Sequence, residues 1–382
     1  MDPEEAIGRA RELGEQFSAR AAHFDRTAEF PHENFEALRE ASLLDLPVPR
    51  EFGGKGLGLA TACRVVDAIA RGEPSTALVL VMQYIHHGAP GLHRRWNQAG
   101  HARLAREAVE WGAMINVMRV EPDLGTPARG GLPATIARRT EGGWCLSGRK
   151  LYATGSPILA YFITWARTDE PDPRVGWFAL PREARGWHIV ETWDHMGMRA
   201  TGSHDLVLED AEVPDELVLD LRPPSEWIPP DGQTGAWNNL VLAALYGAIA
   251  RAARDWLAGY LHERRPSNLG ASLATLPRMQ AAVGDIQALT WTNDRLIFGL
   301  AEEIDRDGYH PGTGMETSLA KMVATNNAVR AVEIALGLVG NPGLARANPL
   351  ERHYRDVLCS RIHVPQDDMV QLMAGKAVLG IA

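Results

Sequence analysis

From Ile7 onward, apolar residues recur at steps of three and four: Ala10, Leu13, Phe17, Ala21 and Phe24 fall on one face of a helix. Ahead of them, Asp2, Pro3, Glu4 and Glu5 supply a capping side chain, a proline at the first helical position and acidic charge compatible with the helix dipole. A second helix follows Pro31 and carries Phe35, Leu38 and Ala41 before the chain turns extended at LDLPVPREFGGKGLG. Two more helical stretches, residues 59–71 and 75–88, are divided by Gly72 and Pro74. Residues 1–112 therefore read as an N-terminal α-helical domain.

Beyond residue 112 the texture changes to short runs rich in β-branched and aromatic residues, AMINVMRV, ATIARRT, YFITWAR, VGWFAL and HDLVLED, divided by Gly and Pro. Glu141, Gly142 and Gly143 lie between two such stretches and predict an antiparallel hairpin. The runs do not alternate with helices, which disfavours a parallel dinucleotide-binding sheet. Residues 113–228 read as an antiparallel β domain, ending at a loop marked by Pro223, Pro224, Pro229, Pro230, Gly232 and Gly235. Helical periodicity then returns over 236–262, 276–304, 315–338 and 366–380, enough for a four-helix bundle in residues 229–382. The fold class is α+β.

Composition narrows the partners. The chain has 382 residues, 45% hydrophobic and 23% charged, ordinary for an ordered globular protein large enough for several layers. A net charge of -9, with basic residues dispersed, argues against nucleic acid. The most apolar run, Leu240 to Ala250, stops at Arg251 after about half the ~20 residues of a membrane span. With no basic leader at residue 1, the expectation is a soluble cytoplasmic protein. Cys63, Cys145 and Cys359 are odd in number and form no CxxC pair, and read as buried or incidental thiols.

On residues alone, little chemistry declares itself. Gly53-Gly54-Lys55-Gly56-Leu57-Gly58 lacks the preceding strand and the Lys-Ser or Lys-Thr of a phosphate loop and reads as a structural turn. No GxSxG elbow occurs. His86, His87, His93 and His101 fit no metal-ligand spacing, and no metal site is expected. His363 stands out between the pair Arg355-Asp356 and the acidic Asp367 and Asp368.

The order helices, β domain, helices resembles the acyl-CoA dehydrogenase superfamily, and five segments carry the likeness. They are LREASLLDLPVPREFGGKGLG, RVEPDLGTPARGG, GGWCLSGRKLYATGS, MGMRATGSHDLVLEDAEVP and NPLERHYRDV. The resemblance implies a flavin, FAD, between the β domain and the last bundle, with its adenylate end reaching a neighbouring subunit of a homotetramer or homodimer. It implies that Thr154 lies by the flavin N5, Tyr152 against the ring and Thr126 on the pyrophosphate. Arg264 matches the arginine extended to a neighbour's FAD phosphates, a role its fixed charge and forked donors suit. Gly340 matches the glycine of a loop facing the cofactor, although Gly337 replaces the usual glutamine, and Val120 replaces a flavin-bonded threonine.

Acyl-thioester dehydrogenation needs a carboxylate base within reach of the α proton. In most of the family it is a glutamate eight residues after the aspartate of the Arg-Asp pair, a count that lands on Val364. The minority location aligns with Asn238 in WNNLVLA, so Asn238 and Asn239 are expected to line the substrate pocket. His363 falls where the two-component flavin monooxygenases place a histidine, and imidazole near neutrality suits proton handling there. His363, with Asp367 and Asp368 as rival bases, is the expected catalytic group. Two activities stay open: an FAD-dependent oxidoreductase acting on C–H bonds of a CoA thioester or similar small molecule, served by an electron-transfer flavoprotein, and a monooxygenase using FMN or another reduced flavin from a flavin reductase. A binding homologue without chemistry is the third reading.

Overall fold

A computed structural model describes residues 1–123, 131–227 and 232–381. Six helices come first: α1 (Pro3–Thr27), α2 (His32–Glu40), α3 (Leu59–Gly72), α4 (Pro74–Gly88), α5 (Pro90–His93) and α6 (Gln98–Trp111). Asp2 caps α1 by accepting the Glu5 N–H at 2.9 Å, and the periodic residues Ala10, Leu13, Phe17, Ala21 and Phe24 are its buried face. Helix α1 crosses α3 where neither helix has a side chain: a Cβ on Gly72 would lie 1.9 Å from the Gly14 carbonyl oxygen. The glycine cluster is a structural turn, in which Gly56 N–H and Leu57 N–H bond back to the Val48 and Leu46 carbonyls. It ends at Gly58, where Asp305 of the last domain accepts the Leu59 and Ala60 N–H groups at 2.9 and 2.8 Å. A carboxylate from another layer thus caps α3, satisfying donors that a helix start leaves open.

The sheet comprises β1 (Met114–Met118), β2 (Ile136–Thr140), β3 (Gly143–Ala153), β4 (Leu159–Thr168), β5 (Val175–Pro181), β6 (Trp187–Val190), β7 (His204–Pro214) and β8 (Val218–Arg222). Its order is β6-β7-β3-β2-β4-β5-β8, with β1 beside β4. The predicted hairpin is present, Thr140 facing Gly143 across a two-residue turn with Gly142 at φ +85°. The sheet is antiparallel except that β1 and β2 each run parallel to β4, and each reaches it only through intervening chain long enough for a crossover.

Helices α7 (Gly232–Glu263), α8 (Pro277–Asp307) and α9 (Thr313–Val339) form the last layer with α10 (Asn341–Leu344), α11 (Leu350–Leu358) and α12 (Asp367–Leu379). The four predicted helices are there, but they do not contribute equally. Helix α12 buries only Val370, whereas short α11, rejected by no pattern yet too brief to stand out, buries Leu350, His353, Asp356 and Val357. Among the described residues α9 is long and apolar enough to cross a membrane by length and composition; 44% of its apolar window is buried in this layer, where α9 packs on α7 and α8.

Candidate active site

Asp356 and Arg355 join the three layers. Arg355 forks onto Asp25 of α1 at 2.8 and 2.7 Å and onto Glu351 at 2.8 and 3.0 Å, and also donates to the Met196 carbonyl between β6 and β7. Planar, paired donors make such a three-way contact possible. Asp356, buried, accepts the Met198 N–H at 2.7 Å. Burial pushes its carboxyl up to about 7, against the pull of that N–H. Gly197 fits here because a Cβ would lie 2.4 Å from the Arg355 carbonyl oxygen.

On the β side of this junction, Thr154 follows the end of β3. Its hydroxyl lies 2.8 Å from that of Ser203, which lies 2.7 Å from that of Thr201, and its carbonyl accepts from Asn116 at 3.0 Å. Tyr152, half exposed, is held at φ +59°, a conformation costly for a non-glycine residue. Its ring meets Trp193 and His195 edge-on at 6.2 and 6.0 Å, and those two rings stack at 3.6 Å. An accessible aromatic plane beside a chain of hydroxyls fits a planar cofactor with polar edges. Beneath it, the Lys150–Glu121 ion pair is fully buried, and Thr135 and Ala134 also donate to Glu121. Burial opposes ionisation of Glu121, yet Lys150 and these donors hold it below the usual carboxylate range. Val120 spends its carbonyl on the Leu151 N–H.

On the bundle side, the chain after α11 runs through His363, Val364 and Pro365 into α12. Val364 and Asn238, the two positions at which the resemblance leads one to expect a carboxylate, meet here: Asn238 of α7 donates to the Val364 carbonyl at 2.8 Å. His363 packs against the Tyr246 ring at 5.8 Å, with its Nε2 buried and unbonded, as is the Tyr246 hydroxyl. Burial, reinforced by the nearby Lys321 charge, lowers His363 to about 4, so its imidazole is neutral at physiological pH. Asn239 accepts from Asn238 at 3.3 Å and donates to Thr317 and Ser318 of α9 at 3.3 and 3.1 Å. Asp367 accepts from Asn326 of α9 at 2.7 Å, and Asp368 follows in the first turn of α12, where neither caps the helix.

Thr126 lies outside the described residues. Arg264 is exposed just past α7, and Gly340, at φ +71°, joins α9 to α10 at the surface. Both lie on the outside of the protomer. His101 packs edge-on between Phe52 and Trp96. Lys321, Tyr246 and Ser203 escaped the sequence reading; the available signal for the first two was a polar side chain in the midst of an apolar helical run.

A helical layer and a β layer locked by an Arg-Asp pair, with an aromatic plane and hydroxyls on one side and a neutral imidazole on the other, define a flavin-dependent oxidoreductase. Models of acyl-CoA dehydrogenase domains match in order: the N-terminal domain over residues 4–99, the middle domain over 117–211 and the C-terminal domain over 236–377. The chain is 33% identical over 366 residues to the putative acyl-CoA dehydrogenase YdbM of Bacillus subtilis (strain 168), covering 96% of this chain and 93% of that one. It is 28% identical to L-evernosamine nitrososynthase of a Micromonospora species, covering 95% and 87%. The structure of KijD3 in complex with FMN and dTDP-3-amino-2,3,6-trideoxy-4-keto-3-methyl-D-glucose superposes with a TM-score of 0.86 at 26% identity, covering 100% and 94%. The chain belongs to the acyl-CoA dehydrogenase family.

Proposed function

We propose that this protein is a reduced-flavin-dependent monooxygenase that places oxygen on a small polar organic substrate, using His363 in place of the family's glutamate. The observation that supports this reading is the meeting of Val364 and Asn238, the two positions a carboxylate base would take, with neither able to accept a proton. The nitrososynthase likeness supports an amine as substrate, because a nitroso product requires oxygen on nitrogen. FMN, as in KijD3, or FAD would then be reduced by a separate flavin reductase.

Bound at the junction, the flavin supplies two-electron reduction of oxygen: one atom enters the substrate and the other leaves as water. Thr154 and Ser203 would offer hydroxyls to a polar ring edge, and Tyr152 would cover a face. The imidazole of His363 is neutral above its lowered pKa, so it rests without charge in a low-dielectric cleft and stays neutral in a relay that accepts a proton at one nitrogen as it donates from the other. Arg264 and Gly340 would serve a neighbouring copy's cofactor in a homotetramer or homodimer, and Thr126 the pyrophosphate if the flavin is FAD. A cytoplasmic location accords with the need for a reductase.

A second reading, CoA-thioester dehydrogenation coupled to an electron-transfer flavoprotein with Asp367 or Asp368 as base, is favoured by the likeness to YdbM. The two separate in one experiment. Protein supplied with FMN, NADH, a flavin reductase and air is assayed by mass spectrometry against a panel of amino sugars and simple amines. The same protein with FAD is titrated anaerobically with acyl-CoA thioesters at 450 nm. Oxygenated product supports the monooxygenase; bleaching by a thioester refutes it in favour of the dehydrogenase. Failure to bind either flavin sinks both and leaves a binding homologue.

A further inference from the structure

Three consecutive backbone carbonyls, those of His363, Val364 and Pro365, are each taken by a side chain of the bundle. Lys321 of α9 donates to the His363 and Pro365 oxygens at 2.7 and 2.8 Å, and Asn238 of α7 donates to the one between at 2.8 Å. Lys321 is 1% exposed, and among the described residues no carboxylate is ion-paired with it. Burial lowers the Lys321 ammonium to about 8, an effect that the Asp367 charge partly offsets, so below that pH it is charged and donates to both carbonyls. Three carbonyls held from two helices leave the segment little freedom, and this is the segment that carries His363 against Tyr246.

From this geometry we infer that Lys321 is a positioning residue, a latch that fixes the His363–Pro365 segment and so the orientation of the His363 ring in the reaction. The inference rests on the proposed role of His363. Asn238 completes the latch, and its identity follows from it: a carboxylate there would set an acceptor against the Val364 carbonyl, whereas an amide donates. The position that holds a base in a minority of relatives is here committed to holding backbone.

Lys321 also acts on the ring through its charge, which, after burial, disfavours a second proton on His363. The ring faces Tyr246 on α7, which is itself acted on by Cys359 in the turn after α11 and by Asp356 on α11, while Asp367 on α12 acts on Lys321. Tyr246 and Cys359 are raised by burial and stay neutral, so the lysine is the nearby positive charge.

The test compares wild type, Lys321→Met and Lys321→Arg, all as flavin-loaded protein. Two readouts are taken: hydrogen–deuterium exchange of peptides covering 359–367, and the pH dependence of reoxidation of the photoreduced, FMN-loaded protein by dissolved oxygen, followed at 445 nm. In Lys321→Met, exchange in that segment should rise by about tenfold or more while α9 stays protected. The acid limb of the reoxidation profile should move up toward 6.5, the ordinary histidine value. Lys321→Arg, keeping charge and donors, should restore both in large part. Unchanged exchange in Lys321→Met overturns the latch, whatever happens to the rate. Faster exchange with an unmoved pH profile keeps the latch and instead removes His363 from the chemistry. If Lys321→Met does not fold, Asn238→Leu takes its place in the exchange measurement, and an unloosened segment there also overturns the latch.

Discussion

At the scale of single residues, the site is decided by what replaces an acid. Val364 cannot take a proton and Asn238 is occupied with holding the Val364 carbonyl, so the proposed proton handling rests on His363 between them and Tyr246. Its Nε2 is buried and unbonded, a state with a free-energy cost unless a ligand group or proton uses it. His363→Ala should therefore lower turnover by about tenfold or more while flavin stays bound, checked by product formation beside flavin absorbance. An equal rate with equal flavin would take His363 out of the mechanism. The sequence exposed this residue only through its offset from Arg355-Asp356. Lys321 and Tyr246 could not be read that way, because nothing in a linear pattern says which face of α7 or α9 meets the turn before α12.

Elements are held together by polar contacts at their ends. Asp305 caps α3 from α8, Asp356 takes the Met198 N–H across the junction of bundle and sheet, and Arg355 ties both to α1. Asp356→Ala should leave the Met198 N–H buried without an acceptor and cost about 1–3 kcal/mol, measured by urea unfolding. Asp356→Asn retains an acceptor oxygen and should cost distinctly less; equal losses would show that the hydrogen bond is not what Asp356 contributes. Most element boundaries were legible from the chain, since α1, α3, α4 and the hairpin at Glu141–Gly142 announce themselves by periodicity, proline and glycine. Strands β6 and β8 were not. Pairing with β7 and β5, rather than any strong alternation of their own, makes them strands.

For the whole molecule, two properties follow from what is buried and what is not. Trp291, Leu372, Val378 and Leu379 are 60%, 61%, 87% and 72% exposed on the last layer, an apolar surface suited to contact between copies. Replacing Leu372 and Leu379 by aspartate should shift a tetramer or dimer toward monomer in analytical ultracentrifugation and, on the role proposed for Arg264 at a neighbour's cofactor, weaken flavin retention; an unaltered assembly would place the interface elsewhere. Stability should also fall in acid. Buried His353 is lowered to about 3, chiefly by burial and then by Arg352, and His363 to about 4. Above the ordinary value near 6.5 each is neutral in both folded and unfolded chains, so its contribution is intact. As pH drops below that value the unfolded chain takes the proton first, and stability declines until the folded pKa is reached, by up to about 1.4 kcal/mol per pH unit for His353. His353→Gln should flatten the slope between pH 6 and 4 in chemical denaturation; an unchanged slope would mean that His353 is not buried neutral. By itself, the amino-acid sequence determined the order of layers, the family and the loss of the usual carboxylate, because periodicity and motif spacing are local and survive in one dimension. Only the tertiary structure decided that Val364 and Asn238 meet, that Asn239 bridges Asn238 to α9 and that Lys321 grips the His363 turn. Those are contacts between helices far apart along the chain, set by how α7, α9 and the last turn pack rather than by any one segment's composition.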